Sequence, residues 1–247
     1  MNITGNTVFV PGGTSGIGLA LALRLQARGN TVVIGGRRTE LLAQLAAEHG
    51  FDTVEIDTSD PVSIEAAAKE VVAAHPDLNV LITMAGIMRP EDWHSAEGFL
   101  STAEATVTTN LLGPIRLVAA FLSQLRRVPA ATIMTVSSGL ASVPLQVTPT
   151  YNATKAAIHM LSESIRLQLA DTGVEVVELV PPAVRTALMG QQDDEHAMPL
   201  DEYVDEAVAL LEAEPGAHEI LVERVKFLRF AEVRGDYDEV VGVLNRR

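Results

Sequence analysis

Short runs of β-branched and aromatic residues recur along this chain, and each is followed by a longer stretch with apolar residues on one helical face. Thr7-Val8-Phe9-Val10, Thr31-Val32-Val33-Ile34, Thr53–Asp57, Val80-Leu81-Ile82, Ala131–Val136, Val174–Val180 and Glu219–Val222 read as strands. Leu19–Leu25, Thr39–His49, Ser63–His75, Ser101–Leu125, Ala156–Leu169 and Asp201–Glu214 read as the helices between them. Strand alternating with helix predicts an α/β fold, a doubly wound parallel sheet of about seven strands with helices on both faces. Ligands of such sheets bind at the carboxyl ends of the strands. Residues 1–247 read as a single domain, and 47% hydrophobic against 20% charged residues is ample for a buried core.

The first strand runs into Pro11-Gly12-Gly13-Thr14-Ser15-Gly16-Ile17-Gly18 and then into an apolar helix. Glycines there permit close backbone approach and expose N–H groups at the helix start to a diphosphate, a Rossmann-type arrangement. About 20 residues further on, where an acidic residue would accept the 2′-hydroxyl of NAD, stand Gly36, Arg37 and Arg38. Paired guanidiniums in so acidic a chain suit a 2′-phosphate, which favours NADP(H). Asp57 ends the third strand, where it serves either an adenine amino group or a turn. Ala85 and Gly86 end the fourth and would let a cofactor lie against the backbone.

Tyr151-Asn-Ala-Thr-Lys155 places a phenol and an ammonium one helical turn apart, roughly 5–6 Å at the Cβ level. With three tyrosines and three lysines in 247 residues, the spacing arises by chance only about 0.04 times. A lysine cation is expected to pull the phenol pKa from about 10 toward neutrality, which makes a general acid. Ser138, at the end of the fifth strand, can face Tyr151. Asn110 lies in a long helix interrupted by Gly113-Pro114, where proline predicts a kink.

The formal charge of −14 and a pI near 4.8 argue against nucleic acid or an anionic membrane as partner. No run of about 18 apolar residues and no signal-peptide pattern is evident, and cysteine is absent, so a cytoplasmic location is expected. The six histidines show no metal-ligand spacing, so no metal is expected.

The glycine turn, Asn110, Ser138 and Tyr151-x-x-x-Lys155 occur in the order and spacing of the short-chain dehydrogenase/reductase family, which the chain resembles over residues 5–230. Within it, Gly36-Arg37-Arg38, Asn110–Pro114 and Thr148–Tyr151 resemble the DltE-like oxidoreductase branch. The resemblance implies an NADPH-dependent reductase of a ketone or aldehyde, reversible as an alcohol dehydrogenase. Tyr151 would give the proton, Ser138 would hold the carbonyl oxygen, and Lys155 would bind the nicotinamide ribose. Asn110 would hold a water that connects Lys155 to solvent. The glycine turn (Gly12, Thr14, Ser15, Gly16, Ile17, Gly18), Arg37, Arg38, Asp57, Ala85, Gly86, Pro181, Val184 and Thr186 would complete the cofactor site. A substrate lid is expected at about 187–205. Met88, Leu140, Leu145 and Met189, with Trp93 and Pro144, are candidates for an apolar pocket, which His94 and His196 either enter or flank from the surface. The family also implies a homodimer or homotetramer, for which Leu117, Phe121 and Leu125 offer either an apolar outer stripe or simply core residues. Three departures from the family pattern stand out: Pro11 for a threonine, Thr83-Met84 for an asparagine pair that braces the central strands, and Pro182 for a glycine. The alternative is a non-catalytic NADP(H) sensor on the same fold; such proteins generally lose the tyrosine or lysine, and both are present here.

Overall fold

The computed structural model describes residues 1–95 and 97–246. In chain order come β1 (Thr7–Pro11), α1 (Gly16–Gln26), β2 (Thr31–Gly36), α2 (Thr39–His49), β3 (Asp52–Glu55), α3 (Pro61–Ala74) and β4 (Val80–Thr83). Then follow α4 (Phe99–Val107), α5 (Gly113–Leu125), β5 (Ala131–Val136), α6 (Pro149–Gln168), β6 (Val174–Leu179), α7 (Leu200–Ala213) and β7 (Glu219–Ile220). The described chain closes with α8 (Glu223–Arg229), α9 (Ala231–Arg234) and α10 (Tyr237–Leu244). All strand pairs are parallel, and the spatial order is β3-β2-β1-β4-β5-β6-β7. The winding direction reverses between β1 and β4, which opens a crevice beyond their carboxyl ends.

Alternate strand residues feed opposite cores, as the period of two requires. Val8, Val10, Val80 and Ile82 pack with Leu21 and Leu25 of α1 and with Val204 and Leu211 of α7. Phe9, Leu81 and Ile133 face the other side, with Ile64 and Val71 of α3 and Phe121 of α5. The Phe9 and Phe121 rings lie 5.2 Å apart.

Of the two readings of Leu117, Phe121 and Leu125, the core one holds and the outer stripe does not: all three belong to the second cluster. The apolar side chains that α4, α5 and α6 do expose are Leu100, Val107, Ile115, Met160 and Leu167. The 27-residue stretch Phe99–Leu125, with a mean hydropathy of 1.3 over its most apolar 18-residue window, is long and apolar enough to cross a membrane by length and composition. Here its Leu117 face covers the sheet.

Between α4 and α5 the helix widens into a π-turn at Thr108–Leu112, in which the Gly113 N–H reaches back to the Thr108 carbonyl. This replaces the simple proline kink. Pro114 has no N–H to offer the Asn110 carbonyl four residues earlier, and widening the turn accommodates that loss. Gly113 also lets the helix close on the β3–α3 loop, since a Cβ there would meet the Thr58 carbonyl at 2.8 Å.

Two boundaries differ from expectation. Strand β7 ends at Ile220, and Val222 instead precedes α8. The stretch 187–205 expected as a lid is not irregular to its end, because α7 begins at Leu200 and buries Tyr203 and Val204 in the core. Ahead of it, a 3-10 turn at Leu188–Asp193 contains Met189 and Gly190 in left-handed conformation, at φ 56° and 68°. Arg185 anchors this stretch by donating to the carbonyls of Asp194, Glu195 and Ala197.

Candidate active site

The crevice is a cleft of about 920 Å³. Gly12, at φ 90°, shows why its floor needs glycine: a Cβ would lie 2.7 Å from the Ala85 backbone. Gly18 serves the start of α1 in the same way, since a Cβ would stand 2.4 Å from the Gly12 carbonyl oxygen. Turn and helix thus interlock, and Thr14, Ser15, Gly16 and Ile17 line the cleft between them. Thr186, arriving after β6, comes within 3.4 Å of where a Gly16 Cβ would be. It lines the same wall as Pro181 and Val184.

At the end of β2, a Cβ on Gly36 would strike Thr14 Cγ2 at 2.7 Å, so an acidic side chain has no room in this arrangement. Arg37 and Arg38 are exposed, line the cleft and form no ion pair within 4 Å among the described residues. Two unspent guanidiniums at this point fit a phosphate monoester. Asp57 lines the cleft and also makes a turn, accepting from the Ser59 N–H at 2.9 Å and the Ser59 hydroxyl at 2.7 Å through Oδ1. Partial burial works to raise its pKa, but the Ser59 hydrogen bonds and the nearby Arg37 charge prevail and leave it lowered. The helix cap of α3 is Asp60, which accepts from the Val62 N–H.

Ala85 and Gly86 form the opposite wall. Asn110 stands behind Gly86, almost fully buried, and its side chain is committed to Ile87. Its Oδ1 accepts from the Ile87 N–H and its Nδ2 donates to the Ile87 carbonyl, both at 2.8 Å. A water held by Asn110 would therefore use the main-chain carbonyl that Pro114 leaves without its α-helical donor, not the amide.

Tyr151 and Lys155 meet in the cleft from the first turns of α6, with Lys155 Nζ 5.5 Å from the phenol ring centre. Ser138, just beyond the end of β5, lines the cleft with Tyr151 and accepts from the Leu140 N–H at 3.1 Å. The expected fall in the tyrosine pKa is not found. Burial pushes Tyr151 up to about 12, against the opposing influence of the Ser138 hydroxyl, and pushes Lys155 down to about 8, against the attraction of Glu178. Desolvation prevails because Lys155 donates to the Val136 carbonyl at 2.8 Å and not to the phenol. At neutral pH the site thus holds a protonated phenol beside an ammonium.

Met88, Leu140, Leu145 and Met189 all line the cleft. Pro144 is not among its lining residues, and Trp93 is corrected to a surface position, stacked on Phe99 with its N–H given to Glu91. His196 lines the cleft, whereas His94 is exposed beside Asp92. Sequence reasoning missed Leu228, Leu244 and Asn245, which bring the chain's C-terminal part into the wall. Asn245 accepts from the Gln146 N–H at 2.7 Å and donates to the Pro144 carbonyl at 3.0 Å, clasping the loop before α6. Among the departures, Thr83 restores a brace between the central strands, its hydroxyl donating to the Met134 carbonyl at 3.4 Å. Pro11 coincides with an early end to the β1–β4 ladder at Phe9–Leu81. Pro182 lines the cleft.

A family profile described as short chain dehydrogenase matches residues 6–197. The chain is 39% identical over 251 residues to the uncharacterized oxidoreductase DltE of Bacillus subtilis (strain 168), covering 99% of this chain and 98% of that protein. It is 30% identical over 193 residues to 2,5-dichloro-2,5-cyclohexadiene-1,4-diol dehydrogenase LinX of Sphingobium indicum, covering 75% and 76% of the two. A short chain dehydrogenase from Burkholderia cenocepacia J2315, solved in complex with NADP, shares the fold at a TM-score of 0.84 and 26% identity, covering 99% of each chain.

Proposed function

We propose that this chain, which belongs to the short-chain dehydrogenase family of oxidoreductases, is an NADPH-dependent reductase of ketones or aldehydes, reversible as an alcohol dehydrogenase. One observation carries the reading: Ser138, Tyr151 and Lys155 share a single cleft with the glycine turn and with two arginines that form no ion pair within 4 Å among the described residues. The glycine cradle, which any Cβ would fill, and the free guanidiniums fit a dinucleotide with a 2′-phosphate. The relative solved with NADP supports the same choice. When bound, NADPH supplies the hydride.

The residues of the chain do the rest. Ser138 donates to the carbonyl oxygen and fixes the carbon's orientation. Tyr151 passes its phenolic proton to that oxygen as negative charge builds there. The neighbouring Lys155 cation stabilises the phenolate left behind, an electrostatic service that burial strengthens. Resupply of the proton runs from Lys155 through a water held at the Asn110 carbonyl. Met88, Leu140, Leu145 and Met189 receive the substrate's apolar group. Leu100, Val107, Ile115, Met160 and Leu167 supply the contact face of a homo-oligomer. Tyr151→Phe tests the proposal: the protein is expected to keep NADPH affinity and lose carbonyl reduction by about 10²-fold or more. Full turnover in that variant would refute it.

A further inference from the structure

Beside Lys155 lies a group of charges that the reaction above does not use. Glu178 of β6 is completely buried, at 0% exposure. Both of its oxygens accept from His159 Nδ1, at 2.9 and 3.1 Å. His159 follows Lys155 by one turn of α6, on the same face. Across the β5–β6 ladder Val136 pairs with Leu179 and Thr135 with Glu178. Lys155 Nζ donates to the Val136 carbonyl at 2.8 Å, so the ammonium sits one rung along the ladder from Glu178 without forming an ion pair within 4 Å. Further out, Arg229 of α8 grips both oxygens of Glu219 of β7, at 2.7 and 3.0 Å. Arg166 of α6 pairs with Glu163 and donates to the carbonyls of Val176 and His218.

His159, Glu178 and Glu219 bring their ligand-type atoms within 4.8 Å of one another. The bidentate Arg229 already neutralises Glu219, which leaves Glu178 as the unbalanced charge. An uncompensated buried carboxylate is costly, so a cation must answer it. The nearest candidates are His159, which hydrogen-bonds it, and Lys155, with Arg229 attracted from further out. We infer that Glu178 is a positioning residue for the reaction, the buried counter-charge that keeps Lys155 cationic, with His159 sealing it from solvent and competing for it.

The charges agree with this arrangement. Burial lowers Lys155 while Glu178 raises it, and His159 is raised first by its hydrogen bond to Glu178. The groups that face His159 and Glu178 are Lys155, Glu163 and Arg166 on α6, His218 and Glu219 at β7, and Arg229 on α8. The inference rests on reading Lys155 as the cation that assists Tyr151.

The chain has three lysines, Lys69, Lys155 and Lys226, so isotope-labelled lysine lets Lys155 be titrated directly by NMR, with Lys155→Met for assignment. In the wild type Lys155 is expected to titrate near 8. In folded Glu178→Gln it should titrate lower by about 1–3 pH units, and the alkaline limb of the kcat profile should move down with it. An unmoved Lys155 in that variant overturns the inference. Should Glu178→Gln fail to fold, the reciprocal measurement decides: coupling through Glu178 requires His159 to titrate higher in Lys155→Met than in the wild type. An unchanged His159 contradicts the inference. A Lys155 shift in a protein that reduces no carbonyl would support the counter-charge and count against the reductase reading alone.

Discussion

Replacing Arg37 and Arg38 by alanine isolates the claim that these side chains choose the cofactor. Both are exposed, and neither forms an ion pair within 4 Å among the described residues, so their removal breaks no such contact inside the protein. A hydrogen bond to a charged group contributes about 1.5–3 kcal/mol, and solvent exposure pulls an ion pair toward the lower end of what charges can give. About 1 kcal/mol for each arginine against a 2′-phosphate predicts roughly a fivefold loss of NADPH affinity for either single variant. The double variant should lose about 2 kcal/mol, or roughly 30-fold, with departures from additivity because the residues are adjacent. NADH has no 2′-phosphate, and its affinity should change by less than about twofold. Titration by reduced-nicotinamide fluorescence at two ionic strengths checks this, because the NADPH preference should shrink as salt screens the exposed charges. Equal losses for the two cofactors, or NADPH affinity held within twofold in the double variant, would refute the assignment.

Gly12→Ala should damage both fold and cofactor site, since it forces a φ of 90° on an L-residue and drives a Cβ to 2.7 Å from the Ala85 backbone. The left-handed conformation alone costs about 1–2 kcal/mol, and calorimetry should show a Tm at least about 2–4 °C lower. Lys155 is cationic below about 8 and neutral above, while Tyr151, at about 12, keeps its proton throughout. Reduction should therefore fall as pH rises through about 8, and a kcat profile flat to pH 10 would contradict this. Asn245→Ala removes the clasp to Gln146 and Pro144. Steady-state kinetics should show KM for the carbonyl raised severalfold with NADPH affinity unchanged.

The parallel sheet was legible because its strands and helices follow simple periods, and the glycine turn because a Cβ has no room at Gly12 or Gly18. Ser138, Tyr151 and Lys155 were legible because strand ends and helix spacing fix which residues meet. What the sequence hid depends on distance in space. The π-turn needed knowledge of how α5 meets Thr58 and of the donor Pro114 lacks. Leu117 and Phe121 show the same apolar spacing whether they face a partner or, as here, the sheet. Asn245 lies about 100 positions from the loop it clasps, and no local pattern signals such a contact. The direction of the Tyr151 shift depends on how deeply the phenol is buried, and spacing alone does not report burial. Glu178 sits in an apolar strand, and a charged residue there was the one signal that could have marked the group around His159.

The central claim is hydride transfer from NADPH to a carbonyl in this cleft. Absorbance loss at the reduced-nicotinamide band, followed with NADPH and separately with NADH across aliphatic, aryl and cyclic carbonyls, tests it most directly. Turnover with NADPH, faster than with NADH and best for carbonyls bearing an apolar group, is the predicted result. NADPH that binds tightly and is never consumed across the panel would contradict the reductase and favour a cofactor sensor.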